Sequence, residues 1–208
     1  GTAGGTFLDL GGVFALDLKK HMKSQAIFPN DLLDSRGLID SLQDFDGTDS
    51  VDVNAILEVN VTDDDPSSGG ATYKGFQTFA NGNFKGRGFK FRTTLTSNDT
   101  AQTIQVTELG YTASLQRRTE QNATAIASGA GAKNVTFDHP FFVGTSSLLG
   151  ANSHLPSVGI TALNMASGVI FELTNIASTG FTVHFKNSSG ASIDRNFNFT
   201  AVGFGKGG

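Results

Sequence analysis

Residues 51–61 read VDVNAILEVNV, and this stretch decides the fold class. Val51, Val53, Ala55, Leu57, Val59 and Val61 share one parity, while Asp52, Asn54, Glu58 and Asn60 share the other. A period of two puts the first set on one face and the second on the opposite face, as in a half-buried β-strand. Working outward, Phe89, Phe91, Thr93 and Leu95 repeat the pattern against Lys90, Arg92, Thr94 and Thr96. Ile104 and Val106 begin another strand; Leu109-Gly110 interrupts it, and Tyr111, Ala113 and Leu115 resume it. Later strands are expected at Val135–Phe137, Phe141–Val143, Val158–Ala162, Val169–Leu173, Phe181–Phe185 and Ile193–Ala201. Short strands separated by Gly, Asn and Ser clusters predict an all-β chain of two jelly-roll-like β-sandwich modules in tandem. Asn187-Ser188-Ser189-Gly190 reads as a hairpin turn between the last two strands.

Residues 15–43 break the pattern. Their periodicity is mixed, and LLDSRGLIDSL fits either short helical turns near 30–43 or a loop wrapping the sandwich edge. DDDPSSGGAT, 63–72, reads as a hydrophilic loop. RRTEQNATAIASGAGAK, 117–133, has few large apolar residues and reads as a linker. The expected modules are therefore 1–120, with its N-terminal wrapping segment, and 121–208. The second is marginal in size for a sandwich, so it is expected to lean on the first module or on copies of itself.

The 208 residues hold 18 Phe, two Tyr, no Trp and no Cys, so the aromatics are chosen for dry burial and thiol chemistry is excluded. A net charge of −4 argues against general nucleic-acid affinity. No apolar run is long enough for a membrane-spanning helix. The start, GTAGGTFLDLGG, resembles no signal peptide and lacks Met, which reads as a fragment or processed product.

No motif for catalysis stands out, and no metal or cofactor is expected. His21, His139, His154 and His184 are scattered without helical pairing. DFDGTDS, 44–50, has part of a calcium-loop pattern but lacks its closing Glu, which favours an Asx-bonded turn. Asp63, Asp64 and Asp65 read as solvated loop charge, with a bound cation as the alternative. The sequon Asn122-Ala123-Thr124 is expected by chance in so Asn- and Thr-rich a chain. KGRGFKFR, 85–92, approaches the RNA-binding octamer of certain β-sheets, but Arg87 and Arg92 occupy the positions that require aromatics. It reads instead as an amphipathic strand, Phe89 and Phe91 inward, Lys90 and Arg92 outward. Arg87, held between two glycines, implies a structural role that the sequence leaves unassigned. Arg195 falls on the inward parity of its strand, which points to a subunit contact or a bulge.

Residues 50–118 resemble the C-terminal parts of phage host-specificity (tail-tip attachment) proteins and tail fibres. The likeness rests on Asp64-Asp65-Pro66, the segment Phe76–Phe79, Gly82–Arg92, Ser97-Asn98-Asp99 and ELGYTASLQRR. Relatives often carry Trp where this chain has Phe76 or Phe79. Residues 133–206 resemble the small six-stranded sandwich of H-type lectins, through Val135, Phe137, Phe141, Val158, Ile160, Thr179-Gly180-Phe181, Val183 and Phe199-x-Ala201-x-Gly203. Those lectins place Trp where Phe199 stands, and their sugar-binding groups have no counterpart here. Both resemblances imply a homotrimer.

Together they imply a non-enzymatic component of the virion tail, extracellular at the host surface, that adheres to a host glycan or outer-membrane protein alongside other tail proteins. Multivalent contact would supply the strength. The alternatives are a structural cement protein of the tail or baseplate, and an accessory module of a polysaccharide-degrading tail enzyme in which Asp63–Asp65 would matter. Receptor contact is expected at the loops of one end of the C-terminal sandwich: Asn152 and His154 in LLGANSHLP, and Asn187 and Ser188 in the last hairpin.

Overall fold

A computed structural model of the chain describes residues 7–27, 53–98, 102–145 and 149–205. The 32–42 segment and DFDGTDS lie outside the described residues. Among those described, the architecture is all-β, and there is no helix long and apolar enough to cross a membrane.

The first module is built from β1 (Phe7–Ile27), β2 (Val53–Thr62), β3 (Gln77–Thr78), β4 (Gly82–Ser97) and β5 (Thr103–Leu115), in the sheet order β3-β2-β4-β1-β5. The mixed periodicity at 15–27 turns out to be strand. β1 is 21 residues long and pairs with β4 through its first half and β5 through its second. Its burial pattern differs between those halves, so no single alternation runs through it.

The ladder to β4 breaks between Asp9 and Phe14, where Leu10–Val13 form a bulge and Gly11 takes φ 73°. Bulges bend and twist a strand. The consequence is visible in Phe91 and Tyr111, whose rings stack at 4.1 Å. Lys90, next to Phe91, pairs with Phe7, and Tyr111 pairs with Lys20, 13 positions away on β1, roughly 40 Å on a flat strand. β1 must therefore coil, and the sheet closes over itself into two facing layers. Leu10, Leu16, Leu18, Leu57, Val59, Phe79 and Phe89 fill the space between.

β5 is continuous through Leu109-Gly110. The break in its parity comes from a bulge at Thr107: Lys23 pairs with Glu108, and Ser24 with Val106. One extra residue shifts the parity from even to odd numbers, so Val106 and Leu109 share a face. Leu95, expected inward, is 52% exposed because it lies on the far end of β4.

The chain then passes into the second module with only Gln116 between strands. RRTEQ, read as linker, is β6 (Arg117–Gln121), and Ile126–Ala127 is β7. The module boundary therefore moves from residue 120 to Gln116. β6 escaped the hydropathy pattern because its two inward positions hold an ion pair, Arg118 Nη1 to Glu120 Oε2 at 2.8 Å, with side chains 15% and 10% exposed. A buried pair of charges looks like a polar loop in sequence.

β8 (Lys133–Thr136), β9 (Ser157–Ala162), β10 (Ile170–Ala177), β11 (Gly180–Lys186) and β12 (Asn196–Phe204) complete the module. β10-β11-β8 form one sheet. In the other, β6 and β7 lie end to end along one edge of β12, and β9 pairs along the opposite edge. Phe137, Phe141, Phe181, Phe185, Phe197 and Phe199 pack between the sheets, two pairs edge-to-face: Phe137 with Phe141 at 5.0 Å and Phe181 with Phe199 at 5.3 Å. Asn122 is part of this framework: its Nδ2 donates to Asn198 Oδ1 and Thr124 O, and its Oδ1 accepts from Phe199 N.

Two expected elements differ. Phe141–Val143 is not a strand; Phe142 makes one isolated bridge to Phe204, and its ring joins the core of the first module against Phe14 at 5.9 Å. The last two strands lie in different sheets. The Asn187–Gly190 turn pairs back only through Lys186 and Ser192, after which the chain crosses to β12.

Candidate functional site

The glycines of KGRGFKFR explain Arg87. A Cβ on Gly86 would run into Val61 Cγ1, and one on Gly88 would lie 2.7 Å from Pro66 Cβ. Both glycines are thus required where the DDDP loop presses onto β4. Between them, Arg87 reaches Asp65 Oδ2 at 2.8 Å and Asp9 Oδ1 at 3.1 Å, clamping the loop and the start of the β1 bulge to one guanidinium. Asp9 Oδ1 also accepts from Gly11 N. The remaining acidic residues are engaged too: Asp63 with Lys74 at 2.9 Å, and Asp64 with the Thr72 amide at 2.8 Å. Among the described residues no three acidic or His side chains converge as metal ligands.

Lys90 and Arg92 face out as expected, but both are capped. The Lys90 ammonium sits 4.1 Å from the centre of the Tyr73 ring, and the Arg92 guanidinium 4.0 Å from that of Phe76. Arg92 also holds Glu58 through two bonds of 2.8 and 2.9 Å.

Bonds from Ser67 and the charge of Arg87 hold the Asp65 carboxyl below its usual range. A depressed carboxylate pKa adds stability above the unfolded value that is lost as pH falls through the folded one. Arg87→Ala is therefore expected to bring the Asp65 midpoint, read from carboxyl chemical shifts, only part of the way back to the ordinary Asp value, because the Ser67 bonds remain. It should also speed amide exchange across 63–72 by about tenfold. A loop equally protected in the variant would remove the clamp from the account.

The two modules meet along a seam, and there the predicted receptor loop lies. A cleft of about 390 Å³ is lined by Leu8, Leu10, Leu16, Tyr111, Ala113, Leu115, Phe142, Leu149, His154 and Phe204. His154 is held at its rim: its amide donates to Val143 O at 3.1 Å, and its Nδ1 lies 2.8 Å from Ser153 Oγ. Its ring meets Phe204 at 6.3 Å. Asn152 sits in the preceding turn at φ 56°, exposed. Leu149 is 64% exposed beside it, and Leu109 on β5 is 55% exposed. Burial raises the Tyr111 hydroxyl pKa.

Asn187 and Ser188 do not join this cleft. His154 stacks at the Phe204 end of β12, whereas the 187–190 turn leads into its Asn196 end, about 26 Å away along the strand. The Asn187 Oδ1 is consumed by Ser189 N, Ser189 Oγ and Ala191 N. Ser188 packs against Gly168. The four predicted residues therefore divide between opposite ends of the sandwich. Arg195 lies in the bend before β12, outside the strand, so the parity argument does not apply to it. Its backbone exchanges bonds with Ser128, and its Nη1 donates to Asp194 O. Tyr111, Leu149 and Phe204 were missed as cleft residues. The one available signal was that Tyr111 is one of only two tyrosines.

No family model and no curated protein matches this chain. Among solved structures, it is similar to recombinant discoidin II of Dictyostelium discoideum, at 13% identity over 94% of this chain and 74% of that one, with a TM-score of 0.31. At that level the similarity carries no argument about this chain.

Proposed function

We propose that the chain is an attachment module: the C-terminal region of a phage tail fibre or tail-tip protein. It acts as a homotrimer in the virion tail and binds a host surface glycan or outer-membrane protein without catalysis. The observation that carries this reading is the seam cleft, open to solvent and rimmed by the His154 loop. Concave, largely apolar surfaces with a few polar groups at a domain junction are where ligands are commonly held. The sequence resemblance supplies the biological setting.

The test is adsorption of the purified chain to host cells and competition with infecting phage. His154→Ala combined with Leu149→Ser is expected to weaken adsorption by about tenfold, as for the loss of a small interface anchor. Asn187→Ala should leave it unchanged, because that side chain serves its own turn. Failure of the unmodified chain to adsorb or to block infection would sink the reading.

A second reading, a tail cement protein, is favoured by the exposed Leu149 in the cleft lining and the exposed Leu109 on β5, which suit burial against another tail subunit. Electron microscopy of the particle separates the two: the cement reading requires the cleft to be covered.

A further inference from the structure

On the other side of the wall formed by Leu10 and Phe142, the seam opens into a second cavity, of about 420 Å³. Its floor is apolar, with Phe14, Phe141 and Phe142. The polar residues that line it are four: Lys85 on β4, His139 in the turn after β8, and Ser178 and Thr179 between β10 and β11. No acidic residue lines it, although the chain carries a net charge of −4. Among the described residues Lys85 makes no ion pair, and neither the His139 ring nor the two hydroxyls have a hydrogen-bond partner.

The backbone beneath these groups is nevertheless tightly held. Arg118 Nη2 donates to His139 O, and Asp138 N donates to Glu120 Oε1 at 2.6 Å. Ser178 O and Thr179 O accept from Phe141 N at 2.8 Å and Phe137 N at 2.9 Å. Leu10–Val13, the β1 bulge, have no partner in either ladder and form the facing wall.

We propose that this cavity binds the anionic group of an acidic surface saccharide, a uronic carboxylate or a sugar phosphate. Lys85 supplies the positive charge, the His139 ring N–H and the Ser178 and Thr179 hydroxyls donate to the oxygens, and the Phe floor contacts the sugar ring. One cation and several neutral donors around a hydrogen-bonded backbone match an oxyanion, and a cavity of this size takes one or two sugar rings. The proposal rests on the attachment reading above and names the ligand chemistry that attachment would use.

The experiment is calorimetric titration of the full chain with three probes: a galacturonic acid trisaccharide, its neutral methyl ester, and mannose 6-phosphate. Thermal melts confirm folding of each variant. The uronate or the phosphate is expected to bind at least about tenfold more tightly than the ester, and the tighter of the two identifies the source of the anion. Lys85→Gln and His139→Gln should each weaken that binding by about tenfold, the worth of one charge-assisted bond, and added salt should weaken it further. Equal binding of ester and acid, or variants that keep full affinity, would overturn the site. A chain that adsorbs to host cells but binds neither acidic probe defeats this inference and leaves the attachment reading standing. A chain that binds through Lys85 and His139 yet ignores host cells does the reverse.

Discussion

Gly180→Ala is expected to lower the stability of the chain by about 3 kcal/mol or more, among the larger effects a single methyl group can have. Gly180 opens β11 and pairs with both Thr136 and Ala177. A Cβ there would fall almost on the carbonyl oxygen of Val135, with the Val135 carbonyl carbon at 3.1 Å and Thr136 Cα at 3.2 Å. All three are backbone atoms, so no side chain can swing aside. Either β8 leaves its ladder or β11 shifts, and Phe137 and Phe181 move with them. The comparison is Gly131→Ala, where nothing lies within 4 Å of the added methyl and φ is not positive. That change should be close to neutral. Denaturant midpoints of the two variants, measured together, decide the matter; similar midpoints would mean that β8 and β11 are not in this register.

Phe141→Ala is expected to destabilise by about 3–5 kcal/mol. The ring is 1% exposed and meets Phe137 edge-on at 5.0 Å. It also does two things a generic core residue does not. It lies against Gly203, where a Cβ would sit 2.5 Å from Phe141 Cδ1, so the sandwich has already given up a side chain to admit it. It also carries the Arg118 guanidinium 3.8 Å from its centre. Arg118 Nε is buried without a partner, so the ring face is part of what offsets its desolvation. Removing the ring leaves a cavity and a poorly compensated charge together. Phe141→Leu should recover much of the core volume but not the cation–π contact, and is expected to fall between the two. A Phe141→Ala protein with near-normal unfolding would show that Arg118 and Gly203 are placed by something else.

Those residues also show how the resemblance motifs work physically. Thr179-Gly180-Phe181 and Phe199-x-Ala201-x-Gly203 each contain a glycine at a point where another part of the chain leaves no room for Cβ. The spacing was readable in sequence; the atoms responsible, Val135 O and the Phe141 ring, were not. Gly86 and Gly88 around Arg87 follow the same logic.

The candidate site was legible only in part. His154 and Asn152 were found as polar residues in a loop, and that loop does border a cleft. The partners that make it a cleft, Tyr111 and Leu115 from β5 and Phe204 from the end of β12, are distant in sequence and read simply as strand residues. Asn187 was chosen by the same criterion as Asn152, but its side chain is consumed by the turn it closes. A polar loop residue that builds its own loop looks the same in sequence as one that is free to bind.

Sequence alone determined the all-β class, the positions of β2, β4, β9, β10 and β11, and the amphipathic reading of KGRGFKFR. These depend on a period of two, a local property of the chain. Only the tertiary structure decided where β6 belongs, since its inward Arg118 and Glu120 are tolerable in a core because they pair with each other and with His139 O, Asp138 N and the Phe141 ring. Likewise, only the coiling of β1 brings Phe91 to Tyr111, and only the seam puts Lys85 and His139 on one cavity. Each of these depends on contacts between residues far apart in the chain, which local alternation cannot encode.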